Sequence, residues 1–438
     1  MKKGIATFLC IAFTLLLIVG CGGDAGTPAT PDTPAADAPA ADTPAADEPA
    51  EAPSEAPEGA IELQMWHYFG DAEAGSLNDY TARFTEEVRP DVHITVTMVP
   101  REDLLQQYTR GALTGDLPDI GMVDNPDHAS FSVMGAFEDI TDLVDAWGEM
   151  HYFFDGPMMS AMWEGRVFGL PNNSNCLALF YNVDMLEAAG VDVPTTWDEL
   201  ESAAAALTDG DTYGLAISMT TGEEGTFQFM PWFISAGGSI DDLAGGPPAK
   251  ALAEIQKLID QGSMSPEVVG WGQGDANTQF INGRTAMQVN GPWNVPNILA
   301  DAPDLNWKVA LFPKDVKYAS VLGGENFAIG ANTTDIQASW DFISWFHSTE
   351  NNAKWAMDSG KFPTRSDSLE LMVWSDDVAD VYSVFGEGLQ YAMPRGPHPR
   401  WPEISRAISD AIQAVLAGGA DPESAMQEAA TKYAELVG

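Results

Sequence analysis

The segment from Ile61 to Met98 places the strongest constraint on what this chain can fold into. Ile61, Leu63 and Met65 alternate with Glu62 and Gln64, the two-residue period of a strand, and Trp66-His67-Tyr68-Phe69-Gly70 follows. Leu77, Tyr80, Phe84 and Val88 then recur at helical spacing until Pro90 closes the run, and Val92, Ile94, Val96 and Met98 alternate again. Strand, helix, strand at this spacing is a βαβ unit, which requires a parallel sheet covered by helices. The loop after its first strand lies at the edge of a crevice where α/β proteins hold ligands, so His67 and Tyr68 are candidate contacts.

The α/β pattern continues. Leu104 to Leu113 reads as a helix ended around Gly115-Asp116-Leu117-Pro118, and the strand Asp119 to Val123 delivers Asp124 and Asn125 at its end. These short polar side chains can bond hydroxyl groups there, although both are also common turn formers. Thr196 and Glu199 have capping-box spacing, and Leu200, Ala203, Ala204 and Leu207 form the buried stripe of the helix they start. Trp197 belongs with that core.

Gly222 to Trp232 reads as an aromatic-rich loop, from which Trp232 is the candidate contact in preference to Glu224 and Phe227. Trp271, between Gly270 and Gly272, is a second tryptophan that could line a cleft. Asn277 to Gly283 reads as a helix closed by its glycine, Thr285 to Val289 as a strand, and Asn290-Gly291-Pro292 as the turn that ends it. Trp293 therefore sits just past a strand end. A flat aromatic there can cover the C–H face of a sugar ring, and removing about 50 Å² of apolar area at ~25 cal/mol per Å² contributes roughly 1 kcal/mol. The same tryptophan could equally be a core residue behind a turn.

At 438 residues the chain exceeds one ordinary core and suits two domains. Its 65 acidic against 20 basic residues give a net charge of -45, which excludes polyanion partners such as nucleic acid. Of three cysteines only Cys176 lies in the body of the chain, beyond Cys10 and Cys21, so no disulfide forms within that body. The histidines have no metal-ligand spacing, and nucleophile-elbow, zinc-protease, phosphate-loop and dinucleotide motifs are absent. No catalytic residue, metal or cofactor is expected. A secreted glycosidase is the competing enzyme class, but carboxylates are so abundant here that their presence carries no information.

Met1-Lys2-Lys3 followed by the apolar run from Ala6 to Val19 has the form of a signal peptide, over residues 1–20. Ile18-Val19-Gly20-Cys21 resembles the lipobox of bacterial lipoproteins, in which the cysteine is lipidated. Residues 21–60, rich in Ala, Pro, Asp, Glu and Thr, read as a disordered tether. A secreted protein held at the outer face of the cytoplasmic membrane, or in a periplasm, by a lipid on Cys21 is expected.

Several segments in order resemble the family 1 extracellular solute-binding proteins of ABC importers. They are Gly115 to Ile120, Gly165-Arg166-Val167-Phe168-Gly169-Leu170-Pro171, Leu177 to Asn182, Ala286 to Trp293, Leu322-Gly323-Gly324-Glu325, Phe362 to Arg365, and Met393-Pro394 with Trp401. The spacing from Met393-Pro394 to Trp401 is two residues shorter than in the family's sugar-stacking segment. The resemblance implies an α/β, two-lobed periplasmic-binding-protein-like fold of type II, with discontinuous lobes and a hinge. The first lobe would comprise 61–172 and 325–375, and the second 173–324 and 376–438, with crossings near 173–182 and 320–330. It further implies a monomer that captures a mono- or oligosaccharide by lobe closure and hands it to the permease subunits of an ABC transporter. A polyol, or a polyamine or other cation held by acidic and aromatic side chains, are the alternative ligands. The implied ligand set is His67, Tyr68, Asp124, Asn125, Asn175, Trp232, Trp271, Trp293, Gly324, Glu325 and Trp401.

Overall fold

The computed structural model describes residues 59–438, so the expected signal segment, Cys21 and all but the last two positions of the expected tether lie outside the described residues. In chain order the strands are β1 (Ile61–His67), β2 (Val92–Met98), β3 (Ile120–Asp124), β4 (Met162–Trp163), β5 (Arg166–Val167), β6 (Leu170–Pro171), β7 (Ala178–Asn182), β8 (Tyr213–Ala216), β9 (Thr285–Asn290), β10 (Trp307–Ala310), β11 (Ser320–Val321), β12 (Glu325–Ile329) and β13 (Ala392–Met393). The first large sheet has the order β2-β1-β3-β12-β6. Within it β1 is parallel to β2 and β3, while β12 is antiparallel to β3 and β6. The register of β1 on β2, from Ile61 opposite Val92 to His67 opposite Met98, is that of the βαβ unit, and the connecting helix Asp71–Glu87 buries Leu77, Tyr80 and Phe84.

The second sheet has the order β10-β7-β9-β8, with β8 parallel to β9 and β7 antiparallel to both β9 and β10. Each sheet gathers its own core. Leu63, Met65, Phe84, Met122, Phe327, Phe346 and Trp355 pack together about the first, and Leu179, Trp197, Leu215, Phe229, Trp232, Met287 and Trp401 about the second. Two sheets with separate cores make a two-lobed α/β fold.

The passages between the sheets lie side by side. The Asn175 N–H donates to the Gly323 carbonyl at 3.0 Å and the Gly323 N–H returns to Asn175 at 2.9 Å, while Ser174 and Phe362 exchange a similar pair at 2.8 and 2.9 Å. Glycine is required where these segments meet. A Cβ on Gly323 would stand 2.2 Å from Asn175 Oδ1, and one on Gly324, at φ +145°, would stand 2.3 Å from the Asn173 carbonyl.

Local signals in the chain hold in the second lobe. The Glu199 N–H donates to Thr196 Oγ1 at 3.3 Å and the Thr196 N–H to Glu199 Oε2 at 3.2 Å, closing the capping box of the helix Trp197–Leu207. One segment differs. Gly222 to Trp232 is not a loop, because Glu223–Ser235 is a helix that carries Pro231 within it and buries every residue from Gly225 to Ser235. Burial on all sides outweighs the modest helix preference of its aromatic residues.

Candidate functional site

A cavity of about 550 Å³ lies between the two lobes. On the first-lobe side it is bounded by Tyr68 and Phe69 beyond β1, Glu73 in the first turn of the helix Asp71–Glu87, Arg101 at the start of the helix Arg101–Thr114, Asp124 at the end of β3, Glu325 at the start of β12, and Lys361. On the second-lobe side stand Glu223, Glu224 and Phe227 of the helix Glu223–Ser235, the segment Gly272–Asp275, Trp293 with Asn294, and Arg395. Asn175, Gly323 and Gly324 of the crossings form the remaining wall.

The sequence around Trp293 explains its placement. Every residue of β9 is buried, and its polar side chains are satisfied inside the lobe: Gln288 donates to Asn277 Oδ1 at 2.8 Å, and Asn290 donates to the Gln273 carbonyl at 3.0 Å. The chain then turns at Gly291, where a Cβ would meet the Trp293 ring at 2.0 Å, so only glycine lets the indole lie back over the turn. Trp293 stays half-buried with its ring centroid 6.3 Å from that of Phe227, one face of the pair toward the cavity.

The charges of the first wall are paired. Lys361 Nζ lies 2.8 Å from Glu73 and 3.2 Å from Glu325. Burial lowers an ammonium pKa, but these two carboxylates outweigh it and push Lys361 up to about 12. Burial in turn raises Glu73, against the pull of Lys361.

A second network crosses from lobe to lobe. Arg395 clasps Asp124 at 3.0 and 3.2 Å and also binds Glu223, whose second oxygen accepts the Trp401 indole N–H at 2.8 Å. Arg101 reaches the same Asp124 at 3.1 Å and Asp127 at 2.5 Å. Burial alone would raise Asp124, yet Arg395 and Arg101 prevail and hold its carboxyl below the usual range. The Arg395 guanidinium also lies 4.5 Å over the Phe227 ring.

Two buried amide atoms on the cavity wall have no partner within the chain: Asn175 Oδ1, an acceptor, and Asn294 Nδ2, a donor. Buried polar atoms are nearly always satisfied, so these are open positions for a ligand's hydroxyl groups. Among the described residues no cluster of His, Cys, Asp and Glu could hold a metal ion.

The model of the family described as bacterial extracellular solute-binding protein matches residues 79–381. The chain belongs to that family. This solute-binding protein is 25% identical to the maltotriose-binding protein of Pyrococcus abyssi, over 86% of this chain and 82% of that one. It is 22% identical to the galactooligosaccharide-binding protein of Bacillus subtilis, over 84% of this chain and 88% of the other. Among solved structures it is similar to an ABC transporter solute-binding protein of Thermotoga lettingae bound with α-D-tagatose, with a TM-score of 0.80 and 28% identity, covering 86% of this chain and all (100%) of that one. These relatives are binding proteins.

Of the candidate contacts in this solute-binding protein, Tyr68, Asp124, Asn175, Trp293, Gly324 and Glu325 line the cavity. Five do not. Trp232 is fully buried in the second-lobe core against Trp197 and Phe312, because it sits nine residues after Glu223, about two and a half turns round the same helix and so on its far side. Trp401 is buried as well, its indole serving as a prop for Glu223. Trp271 packs against the second-lobe core and presents only its carbonyl, at 2.8 Å, to Ser218. His67 is buried with Nδ1 accepting the Phe69 N–H at 3.1 Å, and burial lowers its pKa to about 4. Asn125 is buried behind the glycine pair, its N–H donating to the Gly324 carbonyl at 3.0 Å.

The cavity also holds residues that the sequence reading passed over, chiefly Arg395, Arg101, Lys361, Glu223 and Asn294, with Glu224 and Phe227 set aside in favour of Trp232. Helical periodicity over 223–235 would have put Glu223 and Phe227 on one face and Trp232 on the other. No local signal marks Arg395 or Lys361, whose partners Asp124 and Glu73 lie far away in the chain.

Proposed function

We propose that this protein captures a neutral mono- or oligosaccharide between its lobes and delivers it to the membrane subunits of an ABC importer. The observation that supports this best is the chemistry of the cavity wall: an indole face at Trp293, an unpaired amide acceptor and an unpaired amide donor at Asn175 and Asn294, and cations that already have carboxylate partners. An aromatic face and hydroxyl-sized hydrogen-bonding positions suit a sugar, and relatives that bind maltotriose, galactooligosaccharides and tagatose support the same reading. The carboxylates left without a cation, Glu224 and Asp275, receive backbone N–H groups from Gln273 and Gly272, which makes them acceptors for hydroxyls.

In this reading 61–172 with 325–375 and 173–324 with 376–438 are the two bodies that close, turning about the crossings at Asn175 and Gly323-Gly324. A ligand shifts that equilibrium only through contacts with both bodies, and the cavity offers it both. Tyr68, Asp124, Asn175, Trp293, Gly324 and Glu325 carry the ligand. A lipid on Cys21 and the acidic tether hold the receptor, as a monomer, beside its transporter. Calorimetric titration and thermal shift with monosaccharides, disaccharides, oligosaccharides, polyols and polyamines test this; a sugar at 100 times its Kd adds about 2.7 kcal/mol of stability. Stabilisation by a polyamine with none by any sugar would reverse the assignment.

A further inference from the structure

Behind the sugar cavity lies a second cavity of about 520 Å³, also between the lobes, bounded by Leu105 and Asp127 on one side and by Pro402, Ser405 and Arg406 on the other. Arg101 and Glu223 belong to the walls of both cavities. They are the two ends of the interlobe chain of ion pairs Arg101, Asp124, Arg395, Glu223. We propose that this chain is a partition that closes one end of the sugar site and restricts the ligand to one or two sugar rings. The inference rests on the sugar reading above and adds a length limit to it.

Three observations carry it. The partition is buried, with the side chains of Arg395 and Glu223 only 3% and 6% exposed, so an extending sugar chain would have to pass through it rather than over it. It is held from both lobes and from beneath: Asp124 and Arg101 come from the first lobe, Arg395 and Glu223 from the second, and the Trp401 indole fixes the far oxygen of Glu223. Breaking one member away leaves an uncompensated buried charge, which makes the partition costly to displace. Finally, the space behind it has no aromatic side chain on its wall, so a ring that entered would gain no stacking to offset that cost.

The test is calorimetric titration of the full chain with D-tagatose, lactose, maltose, maltotriose and maltotetraose. Affinity is expected to be highest for one of the first three and roughly tenfold or more weaker for maltotetraose. The double variant Arg395→Ala with Glu223→Gln removes one charge of each sign, leaves Asp124 with Arg101 and keeps an acceptor for Trp401. It is expected to narrow or invert the preference for short sugars. Native protein that binds maltotetraose as tightly as the shorter sugars overturns the proposal without any variant. So does a double variant, folded by circular dichroism, that loses affinity equally at every length, since that is what a contact serving only to hold the lobes together would do. Binding of none of the five to the native protein overturns the sugar reading itself, an outcome distinct from a flat length profile.

Discussion

The first-lobe wall of the cleft holds Lys361, Glu73, Glu325, Arg101 and Asp124 in ion pairs, whereas the second-lobe wall presents the rings of Trp293 and Phe227 with one cation, Arg395, laid over Phe227. The first lobe also buries His67, His128 and His347, while no histidine is buried in the second. The walls therefore do different work. Paired charges and fixed acceptors discriminate orientation and contribute little net affinity, while an aromatic face supplies apolar area to any ring placed on it. Stability should follow the same division: the first lobe is sensitive to charge and pH, the second to packing.

Acid provides the largest expected contrast. Burial lowers His67 and His347 to about 4 and His128 to about 3. A histidine whose folded pKa lies below its unfolded value contributes stability that is fully present above about 6.5 and is lost as pH falls toward those values. Between pH 6.5 and 4 the loss should reach several kcal/mol, on the order of one pKa unit per 1.4 kcal/mol for each group. Hydrogen exchange should show it first in β1 and β3 and later in β9; simultaneous opening of both sheets would break the contrast.

The variant Lys361→Met comes next. It leaves Glu73 and Glu325 facing each other without their cation, and urea unfolding should report a loss of about 3–5 kcal/mol. The variant Trp293→Ala acts on the other wall and should weaken sugar binding about tenfold, or 1.4 kcal/mol, with little change in unfolding. A folded Trp293→Ala protein with unchanged Kd would remove that residue from the site. The smallest effect on affinity is expected for Trp232→Phe, which should change Kd less than about twofold while costing about 1–2 kcal/mol of stability through imperfect packing.

The contrast between these two tryptophans also shows what could be read from the chain. The βαβ unit at 61–98, the capping box at Thr196 and the strand-turn-Trp unit at 285–293 depend on neighbours a few residues apart, and each is present as spacing predicts. Trp293 follows a turn whose glycine fixes its ring. Trp232 and Trp401 carry a similar aromatic signal, but each lies on or begins a helix, and which helix face meets the cleft depends on the packing of the whole lobe. Arg395 and Lys361 were illegible for another reason. Their partners Asp124 and Glu73 are separated from them by most of the chain, so the Lys361 pair exists only once both segments of the first lobe have come together, and the Arg395 pair only once both lobes have formed.

The order of the first sheet, β2-β1-β3-β12-β6, bears on how the polypeptide is made. A ribosome releases the whole of β7 to β10 before the strand that fits between β3 and β6 emerges. Until Glu325–Ile329 arrives, β3 offers an open edge and the earlier half of the molecule stays incomplete. In a chain made from its N-terminus onward, this late keystone keeps the first lobe from closing until about three quarters of the polypeptide exists.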